Sequence, residues 1–179
     1  DGIRLQDYNK GVLTEELIKG IVALANENEI PVGVDPKKKN FLAYQNVTFF
    51  KPNLKELKEG IGINSKDDSI IEILKSIDIL QEKLNCRFIM TTLSERGVLI
   101  KDYNTNTYHH IPAHIREIAD VSGAGDTVLS VAMLCLVCKQ DPHMIAAISN
   151  LAGGLVCEEF GVVPINKERL FEECKKIYN

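Results

Sequence analysis

Asp120-Val121-Ser122-Gly123-Ala124-Gly125-Asp126-Thr127 leads directly into an apolar segment, Val128 to Val137. Small residues let the backbone turn tightly and bring several amide N–H groups close to a ligand. A helix that starts there adds the positive end of its dipole, so the position favours an anion, and a phosphate is the natural guest. A carboxylate at Asp126 would repel that anion. It suits the place as a base that takes a proton from an attacking hydroxyl. A second reading stays open on these residues alone: a glycine turn with Asp126 as a helix N-cap.

The rest of the chain bounds the chemistry. Its 179 residues suit one domain with a substantial core, and 45% hydrophobic content is ordinary for a globular protein. A net charge of −4 argues against a broad electrostatic grip on nucleic acid. No stretch reaches the roughly 18 apolar residues needed to span a bilayer. The start, Asp1-Gly2-Ile3-Arg4, lacks the charged-then-apolar order of a signal peptide. Cys86, Cys135, Cys138, Cys157 and Cys174 make an odd count, which reads as reduced thiols in a cytoplasmic protein. Cys135 and Cys138 read as two buried helical thiols and not as a zinc or redox pair. His109, His110, His114 and His143 show no metal-ligand spacing.

Thr14 is placed to cap a helix to about Asn28, with Leu17, Ile18, Ile21, Val22, Leu24 and Ala25 as its apolar stripe. Ile30 to Val34 reads as a short buried strand ending at Asp35-Pro36, and Val47 to Phe50 as the next. Asn53 opens a short helix to about Glu59. Ser65 opens a longer one with Ile70, Ile71, Leu74, Ile77 and Leu80 inward. Arg87 to Thr92 and Val98 to Lys101 are strands joined by Ser94-Glu95-Arg96-Gly97. A hairpin turn at Asn104-Thr105-Asn106 leads to Thr107–Ile111, and Ile115 to Ile118 reads as an edge strand. Three helices follow. The first runs from Asp126 to about Lys139. The second has Asp141 as cap, Pro142 at its first position and Gly161 just past its end. The third starts after Asn166 and turns Leu170, Phe171, Cys174, Ile177 and Tyr178 inward.

Strands alternating with helices predict an α/β, largely parallel sheet with a β-hairpin, and its ligand site at the carboxyl ends of strands. Asp35, Lys51-Pro52-Asn53 and Thr92 fall at such ends. The opening octet reads as polar and supplies no strand, which would leave the sheet with an open edge. That is the pattern of a segment of a longer protein.

Two further segments carry chemistry. Asn53-x-x-Glu56 is a capping box, and its oxygens also suit waters around Mg²⁺, an ion that keeps most of its shell. Thr92-Leu93-Ser94-Glu95-Arg96-Gly97 is a strand-to-turn link that gains weight from its order relative to the glycine loop.

Asp120 to Thr127 resembles the signature of the ribokinase-like (PfkB) carbohydrate kinases. Asn53-x-x-Glu56, Thr92 to Gly97, and Asn150-Leu151-Ala152-Gly153-Gly154 followed by Gly161 occur in that family's order. Asp7-Tyr8-Asn9-Lys10-Gly11-Val12-Leu13, Asp35-Pro36-Lys37 with Tyr44, and Lys51-Pro52-Asn53 are similar to the heptose 7-phosphate kinases within it, which feed ADP-heptose synthesis for lipopolysaccharide. The resemblance implies a three-layer α/β/α fold, with residues 1–179 as the nucleotide-binding C-terminal portion and the N-terminal sugar-binding part and lid missing. It implies ATP and Mg²⁺ as cofactors, and a small-molecule sugar or sugar phosphate as partner. A homodimer is compatible with it, and neither nucleic acid nor membrane is expected.

Residue by residue, the resemblance makes Asp126 the base and the amides of Gly123, Ala124 and Gly125 the anion hole. It puts Asn53, Leu54, Lys55, Glu56, Thr92, Ser94, Gly97 and Asn150 at the nucleotide. Asn53 and Glu56 would organise Mg²⁺ through water. Asp120 and Ser122 would lie near the K⁺ site some members have. Asp35 and Lys37 are candidates for the phosphate region. The expected reaction is phosphoryl transfer from ATP to a sugar hydroxyl. Three other readings stand beside it: a kinase for a pentose, fructose phosphate or nucleoside; a nucleotide-binding module without catalysis; and a dinucleotide oxidoreductase. The last fits poorly, because Gly123-Ala124-Gly125-Asp126 has no G-x-G-x-x-G order.

Overall fold

The computed structural model describes residues 1–114 and 118–178. Among the described residues the strands are β1 (Ile3–Gln6), β2 (Val32–Asp35), β3 (Phe49–Phe50), β4 (Phe88–Thr92), β5 (Val98–Asp102) and β6 (Thr107–Ile111). They lie side by side in chain order. The first four are parallel; β5 pairs antiparallel with β4, and β6 antiparallel with β5. The helices are α1 (Glu15–Glu27), α2 (Leu54–Ile61), α3 (Ile70–Leu84), α4 (Ala124–Val137), α5 (Pro142–Val156) and α6 (Lys167–Tyr178).

Side-chain alternation along the central strands divides the interior in two. Phe50, Ile89 and Leu99 join Val32, Val34 and residues of α1, α2 and α3 in one cluster. Phe49, Phe88, Met90, Val98 and Ile100 face the opposite way and pack against α4 and α5. Both faces of the sheet are thus covered, the requirement of a parallel sheet. Gly33 in β2 serves the second layer: a Cβ there would fall 2.2 Å from Met133 Sδ of α4. With only hydrogen at that position, α4 lies close over the sheet.

Several elements differ from expectation. The opening octet does contain a strand. Ile3-Arg4-Leu5-Gln6 pairs with Val32 to Asp35, and its polar pair has work at the sheet end: Arg4 reaches α4 and Gln6 reaches Asp35. The cap of α3 is Ser69, not Ser65. Lys58 explains the delay, donating to Ser65 O at 2.7 Å and pairing with Asp68, which ties residues 65–68 into a loop. On α3 Ile71 is exposed and Ile73 takes the core position. Leu17 and Leu24 on α1 are exposed, as are Phe171 and Ile177 on α6; Lys175 Nζ stacks 4.2 Å over the Phe171 ring. α4 begins at Ala124, two residues ahead of Asp126. α5 ends at the Cys157 cap, ahead of Gly161. Cys135 is buried, but Cys138, at the end of α4, is exposed. The expected edge strand at 115–118 falls largely on residues outside those described, and so does the Tyr178 side chain.

Candidate active site

The carboxyl ends of β1 to β4 and the first turn of α4 converge on one side of the molecule. Gln6 Nε2 at the end of β1 donates to Asp35 Oδ2 at the end of β2, at 2.8 Å. Asp35 Oδ1 faces Lys51 Nζ, just past β3, at 3.3 Å, and both side chains are buried. The Cα of Gly125 lies over this pair: a Cβ there would sit 3.5 Å from Asp35 Oδ2 and 3.6 Å from Lys51 Nζ. An ion pair therefore forms the floor beneath the glycine loop.

The loop turns at Gly123, whose φ of +80° is a left-handed conformation that favours glycine. Gly123 is the N-cap of α4 and supplies no side chain to cap it. Thr127 N–H donates to Gly123 O at 3.0 Å, and Ala124 N–H to Val121 O at 3.3 Å. Among the described residues no acceptor meets the amides of Gly123, Gly125 or Asp126. Ala124, expected in the anion hole, thus has its amide engaged, and Asp126 offers one in its place. Arg4 Nη1 pins this turn to β1 by donating to Asp126 O at 3.0 Å and to Ser130 Oγ.

Asp126 does not cap its own helix. It sits third in α4, and its Oδ2 accepts the Tyr8 hydroxyl at 2.7 Å. Among the described residues no donor reaches Oδ1. The N-cap alternative is thereby removed, and the carboxylate has an open oxygen in the same turn as the free amides.

Lys37 Nζ lies 2.6 Å from Glu56 Oε1. Burial pulls its ammonium down, but the hydrogen bond to Glu56 and the charges of Glu56, Asp35 and Asp126 outweigh that, so its pKa stands above the ordinary lysine value. One cation thus serves three carboxylates on three elements. Glu56 also completes the expected capping box: its Oε2 accepts Asn53 N–H at 2.9 Å, while Asn53 Oδ1 accepts Glu56 N–H at 2.8 Å. Glu56 is consequently less free than its sequence position suggests.

A cleft of about 730 Å³ opens beside α2. It gathers Asn53, Leu54 and Lys55 from the start of α2, Thr92 and Ser94 from the end of β4 and the following turn, and Lys58, Ile63 and Asp68 across from them. Five of the expected nucleotide residues therefore share one groove. Glu56, Gly97 and Asn150 do not line it. Asn150 Nδ2 donates to Pro112 O at 3.0 Å. Gly97, at φ +86°, passes so near the same segment that a Cβ would fall 2.0 Å from Ile111 O. Both residues hold the 111–113 backbone. Gly97→Ala is accordingly expected to destabilise the fold by about 2–3 kcal/mol, read as a lower denaturant midpoint at unchanged slope. Asp120 ties two loops together, accepting Ser122 N–H at 2.9 Å and Gly161 N–H at 3.1 Å; the Ser122 bonds first, then the Gly161 amide, hold its carboxyl below the usual range.

Tyr8, Arg4, Gln6 and Lys51 were not assigned roles from sequence. The signal that could have found the first three is β1: a four-residue alternating strand carries Arg4, places Gln6 at its end and Tyr8 two residues beyond; Lys51 directly follows β3.

A sheet of this order covered on both faces is the ribokinase-like α/β/α architecture, and solved structures share it. Ribokinase from Arabidopsis thaliana, complexed with ribose and ATP, superposes with a TM-score of 0.81 at 15% identity, over 94% of this chain and 54% of that one. Phosphofructokinase-2 from Escherichia coli, in complex with potassium, gives 0.80 at 16%, over 89% and 52%. Residues 4–169 match the model of the pfkB family carbohydrate kinases, and the chain belongs to that family. Bifunctional protein HldE from Syntrophotalea carbinolica is 36% identical over 172 residues, which are 96% of this chain and 34% of that protein. The chain thus spans about a third of the length of the curated relatives it matches. Among the described residues no helix is long and apolar enough to cross a membrane.

Proposed function

We propose that this chain carries the nucleotide site and the catalytic base of a cytoplasmic, ATP-dependent sugar kinase, with the anomeric hydroxyl of heptose 7-phosphate as acceptor. The observation that carries the reading is the turn at the mouth of α4, where free amides and the open oxygen of Asp126 stand side by side. The amides of Gly123, Gly125 and Asp126 attract the phosphoryl group as charge moves through it. Asp126 Oδ1 takes the proton of the attacking hydroxyl. Lys37 lies where it offsets the negative charge gathered there. The nucleotide occupies the cleft, against Thr92, Ser94 and the start of α2, while Gly97 and Asn150 hold the 111–113 backbone outside it.

Among the described residues no three carboxylates, thiols or imidazoles cluster as a metal cage. The donor set fits Mg²⁺ held through water, because each Glu56 oxygen keeps a lone pair beyond the bond it already accepts. Mg²⁺ would supply charge neutralisation at the phosphates. K⁺ would lie near the turn that Asp120 and Ser122 close. A homodimer and the absence of nucleic-acid or membrane partners complete the reading. The HldE relatives support heptose 7-phosphate as the acceptor.

The full reading frame, given ATP and a panel of heptose 7-phosphate, ribose, fructose 6-phosphate and a nucleoside, should release ADP with the highest kcat/KM on heptose 7-phosphate. Higher kcat/KM on another acceptor would reassign the substrate. No ADP release with any would leave a nucleotide-binding module.

A further inference from the structure

We infer that Tyr8 is a positioning residue for the Asp126 carboxylate: its hydroxyl fixes Oδ2 and so leaves Oδ1 as the oxygen that takes the proton. The inference rests on the kinase reading above. Its observations are the Tyr8–Asp126 bond and the anchoring of the loop that carries Tyr8.

Tyr8 is 57% exposed, so packing does not explain where its ring lies. Its hydroxyl nevertheless meets a carboxylate 118 residues away in the chain, at 2.7 Å. The loop that presents it is held from below. Asp7 is buried. Its Oδ2 accepts the Tyr44 hydroxyl at 2.8 Å and Asn40 Nδ2 at 3.2 Å, while its Oδ1 accepts Asn9 N–H at 2.6 Å. Asp7 N–H continues the β1–β2 ladder to Asp35 O at 3.1 Å. Tyr8 is thus clamped between a strand end and an anchored turn, with Asn9 at φ +54°.

The target of this clamp needs fixing. An aspartate's terminal torsion is broad and roughly two-fold, so nothing intrinsic selects one oxygen as the base. Asp126 has no cap bond to its own helix, and Tyr8 is its one side-chain donor among the described residues. A hydrogen bond to one oxygen stops the rotation and aims the other. The bond leaves its mark on Tyr8 too: first the hydrogen bond to Asp126, then burial and the charges of Asp126 and Asp35, raise the phenol above its ordinary value, with Arg4 opposing. Tyr8 therefore stays a donor across the neutral range.

Tyr8→Phe keeps the ring and removes the donor. In the full reading frame, kcat should fall about tenfold to a hundredfold, the value of a hydrogen bond to a charged group, while KM for ATP stays within about twofold. In an Asp126→Asn background the same substitution should cost nothing further, because no base is left to aim. A merely structural tyrosine would lower both backgrounds alike. A second readout needs no turnover. Tyrosinate absorbance of this chain against pH, with Tyr8→Phe identifying the Tyr8 step, should show that step moving down in Asp126→Ala. An unmoved step, or an unchanged kcat in Tyr8→Phe, overturns the inference. Wild-type protein that turns over no acceptor overturns the kinase reading instead, and the positioning role with it.

Discussion

Asp126→Asn is expected to lower phosphoryl transfer by about 10²–10⁴-fold, the usual share of a positioned base, and to leave the fold and ATP affinity close to wild type. The substitution is nearly isosteric. Its backbone contacts survive, since Arg4 and Ser130 bond to the carbonyl and not to the side chain. The Tyr8 hydroxyl still finds an oxygen acceptor. What disappears is the lone pair that accepts the substrate proton. The residual rate then measures the amides and Lys37 acting without a base. Single-turnover ADP release with the preferred acceptor, beside an unfolding curve, separates the two effects. A variant with wild-type turnover and intact folding would remove Asp126 from the mechanism.

The glycine loop and Asp126 were legible in the sequence because their chemistry dictates residue type. A left-handed turn asks for glycine, and the base proposed beside the anion site asks for a carboxylate in the first helical turn. The Asn53–Glu56 box was legible for the same reason, since both partners lie within four residues. The pairings across the site were not. Tyr8 with Asp126, Lys37 with Glu56 and Lys51 with Asp35 depend on which strand ends are neighbours. That order is a property of the assembled sheet, and no local pattern carries it. β1 carries a weak strand pattern because only two of its four residues are apolar, and its polar positions are spent on the site. Ser65 and Ser69 are equally good caps by type; the Lys58 contacts to residues 65–68 decide between them. Exposed Leu17, Leu24 and Ile71 show the limit of an apolar stripe: it gives a helix's inner face to within one position on either side, and the packing partner sets the edge.

Lys51→Met is expected to destabilise the fold by about 3–5 kcal/mol, because it strands the Asp35 carboxylate in a buried position with Gln6 as its remaining side-chain donor. Asp35→Asn together with Lys51→Met should recover most of that stability, since removing both charges also removes their desolvation cost. A buried ion pair is thus a poor reason for this fold to be stable, and its place under Gly125 gives it an expected electrostatic role. The Cα of Gly125 lies directly over the pair, so the ammonium and carboxylate face the underside of the loop. The pair presents the turn with a fixed dipole, Lys51 supplying positive charge and Asp35 holding Lys51 in place. Denaturation midpoints and turnover should therefore separate: the double variant regains stability but not phosphoryl transfer, which stays at least about tenfold down, as for lost charge stabilisation in a buried site. Recovery of both together would reduce the pair to scaffolding, and the electrostatics of the site would then fall to Lys37 and the helix amides alone.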